Sequence, residues 1–187
     1  QKVMQTALAI RETVTKVMGL LVYAIVYFTG AAFLLGRADL LLLIPLGIWL
    51  VGYLAIMRFF VPRLRDVSMA QADARAQMTG RVVDSYSNIQ TIKLFADTER
   101  EQRYARDAME GFMVTVHRQM RLVTIMSVGL TLLNTALLVG TAAMAISAWY
   151  MEAISLGVLT IAIALVMRIR FMSDWILWEV AGLFENI

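Results

Sequence analysis

Six side chains near the end of the chain carry the groups best suited to binding a solute inside a membrane. They are Arg168, Arg170, Asp174, Trp175, Trp178 and Glu179. The purely apolar run before them, 156–167, would be about 18 Å long as a helix, too short to cross ~30 Å of hydrocarbon. Any crossing must therefore carry charge with it. A guanidinium at that depth costs several kcal/mol when it faces lipid, and ~10–17 kcal/mol in simulations of an isolated helix. Arg168 must therefore face protein or a water-filled cavity. Arg170 and Asp174 stand four apart and can pair along one helix, with Trp175 and Trp178 beside them. Such a set suits an anionic or amphipathic solute, although six positions cover more than one helix face and cannot all line one cavity. The competing reading is structural. Arg170–Asp174 would be an intrahelical pair and Arg168 a bond to a neighbouring helix, because buried charges also serve register and specificity.

Other chemistries find less support. One histidine, His117, and no cysteine give no metal-ligand set. The remaining acids are scattered along charged stretches rather than paired for acid–base work, so no catalytic residue is assigned. Asn134, inside an apolar run, is expected to bond a neighbouring helix. The thirteen methionines read as ordinary filler for core and lipid-facing positions.

The elements that must position these groups are helices. Hydrophobic residues make up 60% of the chain and charged residues 17%, against about 45–50% and about 25% in soluble domains. A soluble core of this length could not hide so much apolar surface, so a bilayer is the simpler solvent. Four spans are expected at about 14–35, 40–61, 122–149 and 156–180, with a charged loop at 62–121. Gly36, Arg37, Ala38 and Asp39 read as a tight polar turn. Pro45 falls in the first turns of its span, and Gly47 and Gly52 thin one face for close helix approach. Arg58, Arg63 and Arg65 gather at one end of the loop, and His117, Arg118 and Arg121 at the other. The outer turns hold only Arg37 beside Asp39, and Glu152. The positive-inside rule then puts the loop and both chain ends in the cytoplasm of a multi-pass plasma (inner) membrane protein, expected to be bacterial. The net charge of +3 reads as this orientation bias rather than as a nucleic-acid surface. The chain opens without an initiator methionine or a signal-peptide pattern, and is expected to be a piece of a longer protein.

Within the loop, Val67, Ala70, Ala74, Met78, Val82 and Ile89 recur at helical spacing. Tyr104, Ala108, Phe112 and Thr115 do the same in a second arm. Between the arms lies a less charged tip: Ser87, Asn88, Ile89, Gln90, Thr91, Ile92, Lys93, Leu94, Phe95 and Ala96. Apolar residues at the end of a long polar hairpin are expected to dock into a partner's cleft; the alternative is that they fold back on the arms.

The stretch 80–96, GRVVDSYSNIQTIKLFA, resembles the second cytoplasmic loop of ATP-binding-cassette exporters. In that family a short transverse coupling helix carries an acidic residue, an Ile/Val pair, a lysine and an aromatic. Asp84, Ile89, Ile92, Lys93 and Phe95 match it; the acid is more often Glu, and the position of Asn88 more often Gly. The resemblance extends over essentially the whole chain. It aligns 1–11 with the arm rising from the first coupling loop, the four spans with the third to sixth membrane helices, and 178–187 with the lower sixth helix. It implies an all-α membrane protein, an exporter-type transmembrane helical bundle with long cytoplasmic helical extensions. It implies alternating access, with 87–96 coupling to a nucleotide-binding domain and the sixth helix lining the pathway. The implied partners are that domain, a second transmembrane subunit (a homodimer in the simplest case), membrane lipids and an exported substrate of unknown identity. No phosphate-loop pattern G-x-x-x-x-G-K-[ST] occurs here, so the resemblance puts ATP and Mg2+ on a domain outside these residues and leaves this chain non-catalytic.

Two other classes compete. A signalling receptor would also use long cytoplasmic arms, but normally needs a sizeable outer sensor, and both outer turns are a few residues. A membrane-embedded enzyme would want clustered His or acids within the spans, and only the last span has charge.

Overall fold

The computed structural model describes residues 2–87 and 98–185. Among these, four helices account for nearly all of the chain: α1 (Lys2–Ala38), α2 (Leu43–Ser87), α3 (Thr98–Tyr150) and α4 (Leu156–Glu185). A short 3-10 turn, Leu40–Leu42, joins the first two. All four are long and apolar enough, by length and composition, to cross a membrane. α2 has 45 residues and α3 has 53. At 1.5 Å per residue they reach about 68 and 80 Å, more than twice the ~30 Å of a hydrocarbon slab.

The connections follow from local chemistry. Gly36, Arg37 and Ala38 stay helical, so the turn expected over four residues shrinks to Asp39 and the 3-10 turn after it. The helix can run that far because Asp39 then ends it. Its carboxylate accepts from the Leu41 amide at 2.9 Å, satisfying one of the first donors of the next element. Two residues past the end of α3, Glu152 adopts φ 58°, a left-handed conformation unusual for a residue with a Cβ. The Ala153 amide reaches back to the Ala148 carbonyl at 2.9 Å and the Glu152 amide to that of Trp149, also at 2.9 Å, closing the helix end. Ser155 caps α4 by accepting from the Val158 amide at 3.3 Å.

Packing divides the chain into two units. The first is formed by the residues up to Met57 together with Ser127–Leu183. Its core contains Leu35, Leu42, Leu46, Trp49, Leu130, Leu137, Val166 and Ile169. Only 6–28% of the most apolar window of each candidate span is buried inside the chain. The rest of that apolar surface faces outward, which lipid tolerates and water does not.

α2 and α3 approach closely in this unit. Of the two glycines expected to thin α2, only Gly52 does so: a Cβ there would lie 2.8 Å from Leu133 Cδ1, whereas one at Gly47 meets nothing within 4 Å. At Gly52→Ala the Leu133 Cδ1 methyl must move, which is expected to offset the gain of about 1 kcal/mol that alanine brings to a helix and leave the bundle no more stable or slightly less so. Gly47→Ala is expected to be neutral or mildly stabilising. Detergent-denaturation midpoints of the two variants would check this. An equal effect at both positions would contradict the packing described.

The second unit centres on Arg58–Met126. Leu64 and Met126 are buried there, and the Gln119 amide donates to the buried Ser68 hydroxyl at 3.3 Å. Farther along, the Arg75 guanidinium lies 5.9 Å from the Phe112 ring centre and that of Arg81 lies 4.4 Å from Tyr104. Tyr104 and Phe112, two members of the second arm's stripe, thus face α2. The stripe on α2 is rotated from its expected position: Ser68 is buried while Ala70 is exposed. The Ser68–Gln119 bond accounts for a polar residue holding the inner face. Pro62 lies inside α2, which continues through it.

Candidate functional site

Two clusters of charged and polar side chains lie between helices in the first unit. One is a buried knot around Asn134, which is 1% exposed. The Trp49 indole N–H donates to Asn134 Oδ1 at 2.8 Å. Asn134 Nδ2 in turn lies 3.2 Å from both the Ser173 hydroxyl and an Asp174 carboxylate oxygen. One side chain thereby ties α2, α3 and α4 together, and the role expected for Asn134 is the one observed. Trp49 also stacks on Tyr53, with ring centres 5.0 Å apart.

The Arg170–Asp174 pair that helical spacing allows, and that the competing structural reading held, is not the contact Asp174 makes. Among the described residues the two form no ion pair. Asp174 is drawn instead to the Asn134 amide, a neutral donor already inside the bundle, which satisfies the carboxylate without bringing a second ion into the core.

The other cluster lies between α1 and α4. Arg168 donates to the Tyr27 hydroxyl at 2.7 Å, and its guanidinium sits 4.8 Å from the centre of the Tyr27 ring. Tyr27 packs against Tyr23 with ring centres 4.3 Å apart, and Tyr23 meets Trp175 edge-on at 5.9 Å. These contacts border an open groove of ≈ 710 Å³ lined by Gly19, Tyr23, Arg168, Phe171, Met172 and Trp175. Beyond it, Lys16 Nζ and Glu179 Oε1 form a salt bridge at 3.5 Å.

Helical spacing explains the division. At about 100° per residue, Arg168, Phe171, Trp175 and Glu179 fall within about 80° of one another, whereas Arg170 and Asp174 point to the other side. Two of the six residues singled out from the sequence, Arg168 and Trp175, therefore line the groove, and Glu179 lies on the same face, paired with Lys16. Arg170, Asp174 and Trp178 are not among the residues that line it, although helical spacing puts the exposed Trp178 on the same side of α4 as Phe171. Tyr23 and Tyr27, unmarked in the sequence reading, complete the cluster. Their signal is in the sequence: the span's two tyrosines stand four apart and so share one helix face.

Of the segment expected to couple to a partner, Ser87 is the last residue of α2. Asn88, Ile89, Gln90, Thr91, Ile92, Lys93, Leu94 and Phe95 lie outside the described residues. His117 is exposed, and no group of three or more metal-ligating side chains occurs among the described residues.

Four candidate spans with polar clusters between them define an all-α, multi-span membrane domain. The family model described as the ABC transporter transmembrane region matches residues 4–173. The chain belongs to that family, and is a membrane-spanning component of an ABC-type transporter. It is 43% identical, over 186 residues, to an "Uncharacterized ABC transporter ATP-binding protein" of Haemophilus influenzae (strain ATCC 51907 / DSM 11121 / KW20 / Rd). That match covers 100% of this chain and 30% of the relative, so the chain spans about a third of the relative's length.

Proposed function

We propose that this chain is the permease part of an ATP-driven exporter that works by alternating access, with the segment 87–96 receiving motion from a nucleotide-binding domain. Family membership supports the transporter reading. The observation that carries the mechanism is the length of α2 and α3, each an unbroken helix more than twice as long as a bilayer requires. The excess is charged, and basic residues flank its junctions with the apolar spans, which favours a cytoplasmic location for it. A helix of that kind can carry displacement from its tip to the spans, because its backbone hydrogen bonds resist axial strain. The printed name of the H. influenzae relative, an ATP-binding protein, favours a nucleotide-binding domain within the same longer protein. ATP binding and hydrolysis on that domain would supply the work. This chain's own residues would transmit it, bind the solute and keep it from lipid. A second transmembrane subunit, identical in the simplest arrangement, would complete the pathway.

The test uses the intact protein in liposomes. Phe95→Ala and Ile92→Asp are expected to leave ATP binding unchanged and to lower transport per ATP hydrolysed several-fold, because a docking tip loses its apolar contact. Normal coupling in both variants would argue that 87–96 is not the point of transmission.

A further inference from the structure

Resting on the reading that these spans form a solute pathway, we propose that the groove between α1 and α4 is a binding site for amphipathic organic anions. The ligand class is a carboxylate, sulfonate or phosphate attached to a flat apolar body. Arg168 is the anchor. A guanidinium has five N–H donors, and among the described residues no carboxylate lies within ion-pairing distance of this one. Tyr27 accepts one bond at 2.7 Å and its ring centre lies 4.8 Å from the guanidinium, which steadies the fork where Arg168 lines the groove and leaves donors to spare. Tyr27 is therefore a positioning residue.

The surrounding charges favour the same sign. Glu179 is compensated by Lys16 at 3.5 Å, and Asp174 belongs to the Asn134 knot on another face of α4. Arg168 is left as the charge that a solute in the groove would meet. The walls supply the other half of the recognition: Tyr23, Phe171 and Trp175 offer ring surfaces and Met172 an adaptable floor. At ≈ 710 Å³ the groove falls within the ~300–1,000 Å³ typical of small-molecule sites. Aromatic walls alone would accept organic cations equally well; the uncompensated guanidinium discriminates against them.

The experiment measures binding to the intact protein in nanodiscs of zwitterionic lipid, without nucleotide. The anionic probe is 8-anilinonaphthalene-1-sulfonate, and the cationic probe of similar size is ethidium. Arg168→Gln is expected to weaken saturable binding of the anion by about tenfold or more, the loss expected of one charge-assisted contact, while ethidium changes less than about twofold. Arg168→Lys should fall between, since it keeps the charge but not the fork, and it carries the test if the glutamine variant fails to fold. Tyr27→Phe should weaken the anion about threefold with no effect on the cation, as expected for partial loss of one hydrogen bond. An unchanged anion affinity in the Arg168 variants, or equal losses for both probes, would overturn the proposal. Adding phosphatidylglycerol to the nanodiscs separates two sources of the same chemistry. Displacement of the probe identifies a lipid as the occupant, and its retention identifies a soluble anion; both support the site. Because binding needs neither hydrolysis nor turnover, binding without transport would count against the exporter reading alone. Transport with charge-blind binding would count against this inference alone.

Discussion

Replacing Asn134 by leucine is expected to destabilise the membrane bundle by about 3 kcal/mol, more than any other single polar change in the spans. Leucine has the same branching and is somewhat bulkier, so the loss is not a cavity effect. Interhelical hydrogen bonds in membranes average only ~0.6 kcal/mol each, so three lost bonds account for about 2 kcal/mol. The remainder comes from leaving the Trp49 N–H, and above all the Asp174 carboxylate, without the partner that made their burial tolerable. Trp49→Phe removes one bond and keeps the aromatic stack, and should cost about 1 kcal/mol. The check is detergent denaturation of the purified protein followed by tryptophan fluorescence, with Asn134→Leu shifting the midpoint two to three times as far as Trp49→Phe, in keeping with the number of bonds each removes. Equal shifts would mean that the knot is three independent contacts rather than a network through one amide.

A proline at position 74 is expected to have the largest effect on function. Ala74 lies in the part of α2 that belongs to the second unit, and it is half-buried. Ala74→Pro removes the amide that bonds the Ala70 carbonyl and costs ~3 kcal/mol or more in a helix interior. If α2 transmits force from a nucleotide-binding domain, transport per ATP hydrolysed should fall about tenfold or more, since even half of that energy spent in local unwinding corresponds to such a factor. ATP binding should persist. Ala74→Gly, which costs about 1 kcal/mol without blocking the helix, should be intermediate. Measured in liposomes, full coupling in the proline variant, with helical content retained by circular dichroism, would remove the mechanical role assigned to this helix.

How far these arrangements could be read in advance depends on whether one helix or several decide them. The all-α architecture and the four apolar stretches follow from composition and period, which each segment carries by itself. The need for Arg168 to find a protein partner followed from the cost of a charge in hydrocarbon, and Tyr27 answers it. Which partner could not be read, because Tyr23 and Tyr27 lie about 140 residues away in a run that otherwise reads as lipid-facing filler. Asp174 shows the opposite case. The nearest cation in sequence, Arg170, was the natural partner by local spacing, but helix–helix packing brings Asn134 closer. Gly47 and Gly52 look alike in sequence, yet only one faces Leu133, because which side of α2 meets α3 is set by the whole interface. The turn at Gly36–Asp39 was drawn too long because glycine and a charged pair suggest a break. Asp39 alone supplies the side-chain acceptor that ends one element and opens the next.

Pro62 gives α2 an uneven mechanical profile. With no amide hydrogen at that position, the Arg58 carbonyl receives no helical bond. The adjacent Phe59 carbonyl takes the Arg63 side chain at 2.6 Å, whose guanidinium lies 3.6 Å from the Phe59 ring centre. The backbone is thinned at one rung and braced at the next, within the second packing unit. One residue apart along α2, a backbone rung is lost and a side-chain bond is added, so a positive charge beside the apolar span is engaged in holding the helix's own main chain.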